Sequence, residues 1–104
     1  MQLLFIKLAK ENLLEDLITI ITAAGLEHAC VIDASTIQQF MGANIPLFAG
    51  LRTEIGNSTY CKVIFVRVPD TECLNEFREL LKRSQIDLND EETGAALLMP
   101  CEKL

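Results

Sequence analysis

Tryptophan is absent from this chain and tyrosine occurs once, so apart from five phenylalanines its apolar material is aliphatic. A core of Leu, Ile and Val is therefore expected. Positive charge is also scarce. Nine Lys and Arg stand against fifteen Asp and Glu, a formal net charge of -6, whereas nucleic-acid binders present a basic face. The one basic cluster, Arg78, Lys82 and Arg83, is interrupted by Glu79 and reads as a solvated helix face. Nucleic acid is thus excluded as a partner. No CxxC pair occurs: Cys30, Cys61, Cys73 and Cys101 are widely spaced, which predicts free thiols that pack as small hydrophobes, with neither a zinc site nor a redox motif. Long hydrophobic runs are missing as well. The longest weakly polar stretch, Leu17 to Leu26, contains Thr19 and Thr22 and falls far short of the roughly 20 residues of a membrane span. Met1 to Lys7 lacks the basic start and long apolar stretch of a secretory signal. No membrane insertion and a cytoplasmic location are expected.

What is present fits one domain of 104 residues, large enough to bury a core without metal or disulfide support. Gln2 to Leu8 is a short run apolar on both faces, the mark of a central strand. From Glu11 or Asn12, Leu13, Leu14, Leu17, Ile18, Ile20, Ile21 and Ala24 recur at helical spacing, with Asn12 as N-cap and Gly25 as the stop. The β-branched residues between Ile18 and Thr22 favour strand locally, but the surrounding pattern is helical. His28 to Ala34 reads as a second strand. Thr59 to Val68 is the clearest strand, rich in β-branched and aromatic residues and closed by Pro69. Asp70 caps a second helix with a Leu74, Phe77, Leu80, Leu81 stripe, ending near Ser84. Polar residues Gln85 to Thr93 lead to Gly94 and a last strand, Ala95 to Met99.

Between the second and third strands lies Thr36 to Ser58, with no obvious regular structure. Connections usually span about 4 to 6 residues, and those beyond roughly 12 to 15 are mostly functional or disordered. Its apolar centre, Ile45 to Leu51, is unlike a disordered linker. The segment is therefore the candidate seat of function.

The order β-α-β, long loop, β-α-β predicts an α+β, ferredoxin-like βαββαβ fold, a four-stranded antiparallel sheet with two helices on one face. In water the other face would show apolar-polar alternation. Instead Leu3 to Ile6, Val63 to Val66 and Ala95 to Met99 are consecutively apolar. This predicts that further copies of the chain cover the second face.

Three residue groups in this order carry a resemblance: Ile45-Pro46-Leu47-Phe48-Ala49-Gly50-Leu51-Arg52, the β-rich strand after it, and Glu92-Thr93-Gly94-Ala95-Ala96-Leu97-Leu98-Met99-Pro100. Together they resemble PII-like signalling proteins, in particular a short, stand-alone branch with a PxFAGLR loop. The resemblance implies a homotrimer with the sheets lining its centre, a small effector such as an adenine nucleotide bound between subunits, and a T-loop at 36–58. That loop would report ligand state to a partner enzyme or membrane transporter. Better-known members carry a glycine-aspartate-glycine-lysine turn that holds ATP phosphates. Here the matching positions read Glu92-Thr93-Gly94-Ala95, with Asp90 and Glu91 adding negative charge, where phosphate needs donors and positive charge.

The candidate ligand-binding residues are Asp33, Ser35 and Thr36 at the base of the loop, Phe48 and Arg52 within it, and Thr93 and Gly94 before the last strand. Arg52 suits bidentate contact with a phosphate or carboxylate, or pairing with Glu54. Phe48 suits stacking on a base, or anchoring its own loop. Asp33 has an alternative role as acceptor for local backbone N–H groups, and Gly94 as the residue of a tight turn. No catalytic residue and no metal are expected. His28 and Cys30 share a strand face with Cys61 on the next strand, which is too few ligands for a soft-metal site. A small ferredoxin-like oligomeric enzyme and a metal-handling trimer are the alternatives to a non-catalytic sensor.

Overall fold

The computed structural model describes residues 1–37, 41 and 60–104. Its elements are strand β1 (Gln2–Leu8), a 3-10 turn (Glu11–Leu13), helix α1 (Leu14–Ala23), β2 (Glu27–Ser35), β3 (Tyr60–Val68), α2 (Thr71–Arg83) and β4 (Gly94–Pro100). The strands form one sheet in the order β2-β3-β1-β4, and every neighbouring pair is antiparallel. This is the expected α+β, ferredoxin-like arrangement, with β1 in the interior of the sheet.

Alternation along the strands decides what each face does. Leu4, Ile6 and Leu8 of β1 and Ile64, Val66 and Val68 of β3 are buried. With Leu17, Ile20 and Ile21 of α1 and Leu74 and Phe77 of α2 they form one apolar core. Helix α1 forms despite its β-branched residues because that core takes its Leu17-Ile20-Ile21-Ala24 face. Thr19 and Thr22 donate their hydroxyls to the carbonyls of Glu15 and Ile18, each at 3.0 Å, so they too are accommodated within the helix.

The two helix ends are built alike. After α1, Gly25 N–H donates to Thr22 O and Leu26 N–H to Ile21 O, both at 3.2 Å, and after α2, Gln85 N–H donates to Lys82 O (3.1 Å) and Ile86 N–H to Leu81 O (3.0 Å). Both are Schellman motifs, which require a left-handed residue after the cap. Gly25 supplies it at φ 80°, Gln85 at φ 58°. Leu26 and Ile86 are thereby turned into the core.

The start of α1 departs from expectation. Asn12 is not its cap: Glu11–Leu13 form the 3-10 turn, Leu13 precedes the α-helix, and no side chain caps either segment. At α2 the expected cap is present, with Asp70 Oδ1 accepting from Cys73 N–H at 2.8 Å. That bond holds the Asp70 carboxyl below its usual range. The same carboxylate, together with burial, pushes the Cys73 thiol up. The polar-looking stretch Gln85 to Thr93 also contributes to the core, through buried Ile86 and Leu88.

Gln85 is therefore a site for stabilisation. Gln85→Gly should raise stability by about 1 kcal/mol, since a side chain in the left-handed region costs roughly that much. An unchanged or lower urea midpoint would contradict this assignment. For Asp70, whose carboxyl pKa is lowered by folding, the contribution is full above the unfolded value and disappears as pH falls through the folded one. Asp70→Ala should accordingly lower the melting temperature at pH 7 and narrow the gap to wild type in acid.

Candidate functional site

The antiparallel register gathers the chemistry at one end of the sheet. Leu8 faces both Lys62 on β3 and Gly94 on β4, and Ser35 faces Tyr60. Hence the end of β2, the start of β3, the end of β1 and the start of β4 meet there. Both anchors of the 36–58 segment leave from this same end. A cleft of about 460 Å³ opens beside them, bordered by Lys7, Cys61, Glu91, Glu92, Gly94 and Ala95.

Its floor depends on one glycine. A Cβ on Gly94 would lie 2.1 Å from the Lys7 carbonyl oxygen, so only glycine lets β4 approach β1 here. Thr93 is buried, and its carbonyl accepts from Ala9 N–H (2.9 Å) and Lys10 N–H (3.3 Å), which fastens the turn to the end of β1. Asp90 organises the rest. Its carboxylate accepts from Glu92 N–H at 3.1 Å, and its carbonyl accepts from Thr93 N–H (2.9 Å) and Gly94 N–H (3.0 Å). Three successive amides are thus engaged inside the turn, while a phosphate cradle needs such amides free.

The other predicted residues are distributed differently. Gly94 borders the cleft; Asp33, Ser35 and Thr36 are at the same sheet end but do not. Asp33 instead forms a cross-strand ion pair with Lys62, whose ammonium pKa is raised chiefly by that hydrogen bond and further by the charges of Asp33 and Glu11. Phe48 and Arg52 lie outside the described residues. Lys7, Cys61 and Glu91 are cleft residues that the candidate set did not include. For Lys7 a signal existed, as the one charge in an otherwise apolar strand, but its position at the cleft follows from the β1–β4 register.

Cys30, His28 and Cys61 are not brought together. Cys30 faces Phe65 and Cys61 faces Ala34, so the two thiols are offset by four residues, about 13 Å along the strands. A bulge between Glu27 and Cys30 with His28 at φ 56° further breaks the alternation. Among the described residues no group of three or more His, Cys, Asp or Glu is placed to hold a metal, and no helix is long and apolar enough to cross a membrane. No family model matches the chain, and no curated protein matches it.

Two outcomes are expected. Gly94→Ala forces backbone apart from backbone and should cost about 1–3 kcal/mol, the range for overpacking; a wild-type unfolding midpoint would show that β4 is not seated as described. Because folding raises the Lys62 pKa, the Asp33–Lys62 pair stabilises fully below the unfolded value and is lost as pH rises through the folded one. Asp33→Asn should therefore separate from wild type at neutral pH and converge with it in strong alkali, read from melting temperatures across the range.

Proposed function

We propose that the chain is a non-catalytic, PII-like regulatory protein: a homotrimer that takes a small effector in clefts between subunits and signals to an enzyme or membrane transporter through the 36–58 segment. One observation carries the reading. The cleft and both anchors of that segment share one end of the sheet, so a ligand there touches Cys61 at the start of β3, the strand at which the segment rejoins the sheet. Such a ligand shifts the segment's equilibrium by its difference in affinity for the two states.

The sheet face turned away from the helices supports assembly. Phe5 and Phe65 pack edge to face on it, their ring centroids 5.3 Å apart. Register adds Leu97 beside Phe5, Met99 beside Leu3 and Ile32 beside Val63. Leu97 is 58% exposed and Ile32 46%, an apolar face of the kind that marks an interface. Arg67 is on the same face, and its Nε is buried without a hydrogen-bond partner among the described residues. Its Nη2 pairs with Glu27 on the neighbouring strand at 3.3 Å.

The effector remains a matter of charge. Among the described residues Lys7 is the single cation bordering the cleft, which Glu91 and Glu92 also line. An adenine nucleotide, the ligand implied by the family resemblance, would need its phosphates held by Arg52 or by a neighbouring subunit.

Titration with adenine nucleotides, cyclic nucleotides, bicarbonate and 2-oxoacids tests the reading. One of them should raise the melting temperature, with about 2.7 kcal/mol per site at 100 times its dissociation constant. The same ligand should change the rate at which protease cuts within 36–58. Lys7→Gln should weaken it about tenfold, the loss of one charge-assisted hydrogen bond. A ligand that shifts the melt while leaving cleavage within 36–58 untouched would sink the signalling mechanism.

A further inference from the structure

A second concave site lies on the helix side of the sheet, away from the cleft and from the apolar face. It is a groove of about 600 Å³ between α2 and the turn that follows it, within the roughly 300–1,000 Å³ of small-molecule sites. Its floor is aliphatic, made by Leu4 of β1 and Ala96 and Leu98 of β4. One wall is the turn at Ile86 to Asn89. The other is α2, where Phe77 and Leu81 line the groove and Arg78 and Lys82 form the rim at i and i+4, successive positions on one flank of a helix, with Gln85 just beyond the helix end.

The groove is lined by two cations, Arg78 and Lys82, and one carboxylate, Asp87, in a chain of net charge -6. Asp87 Oδ1 accepts from Asn89 N–H at 2.9 Å, and Glu79 pairs with Lys82 at 3.7 Å. Arg78 has neither an ion pair nor a hydrogen bond among the described residues. Its planar fork matches a carboxylate bidentately. A concave, ligand-sized aliphatic trough with one unengaged guanidinium at its lip is unlike the broad surface that a protein partner covers. It is the complement of an amphiphile with a short apolar body and an anionic head.

We propose that the groove between α2 and β4 binds a small aliphatic carboxylate, with its chain over Leu4, Phe77 and Leu98 and its head on Arg78. The site is independent of the regulatory reading and stands or falls separately, because it shares no residue with the cleft.

Octanoate is the probe, titrated into the full chain and followed by NMR. Resonances of Phe77, Ala96 and Leu98 should move in a saturable way, and octanol, which has the same chain without the charge, should bind more weakly. Arg78→Gln should reduce octanoate affinity about tenfold, equivalent to losing one charge-assisted contact, while Arg83→Gln, on the same helix but outside the groove, should leave it unchanged. Both arginines are exposed, so the variants should keep the wild-type unfolding midpoint. Equal octanoate binding by wild type and Arg78→Gln would overturn the assignment. So would perturbations confined to Phe5, Phe65 and Leu97, or no saturable binding at all.

Discussion

Everything in this molecule depends on the pairing of β1 with a strand on each side. That double pairing makes Leu8 the partner of both Lys62 and Gly94, positions far apart in the chain, and so brings the start of β3 and the start of β4 to one place. It also fixes alternation. Leu4, Ile6 and Leu8 must face the helices, which leaves Leu3, Phe5 and Lys7 on the other side; a slip of one residue would exchange the two sets. The clearance at Gly94, where no Cβ fits against the Lys7 carbonyl, is the local expression of that register.

The two sheet faces then meet different conditions. On one, α1 and α2 close the core, and their matching end motifs turn Leu26 and Ile86 back into it. On the other, Phe5, Phe65, Leu97 and Met99 have no helix above them among the described residues. A strand face exposed to water ordinarily carries polar residues, and here only Lys7 and Arg67 do so along the central strands. The proposal of a trimer is at root a proposal about what covers this face.

Much of the fold was legible in the sequence, because consecutive apolar residues and helical stripes are local signals. The strands Gln2–Leu8 and Tyr60–Val68 and the Asp70 cap were readable from their own residues. The start of α1 was not, since Asn12 has the right chemistry for a cap but Glu11–Leu13 take a 3-10 turn instead. Ile86 and Leu88 were hidden among polar neighbours: two apolar residues are too short a pattern to reveal that a helix-end motif will bury them. The candidate site divides along the same line. Gly94 could be found as a glycine before a strand, whereas Lys7, Cys61 and the Lys62 partner of Asp33 depend on strand register, which no single stretch of sequence contains. The engagement of three amides by Asp90 was equally out of reach, as it is a property of the folded turn.

The most direct test of the account is the mass of the native assembly at micromolar concentration, measured for wild type and for Leu97→Glu, which places a charge on the apolar face. The account predicts three chains of 11.6 kDa each for wild type and dissociation for the variant. A monodisperse wild-type monomer would contradict it, because the apolar face would then stand in water without a partner.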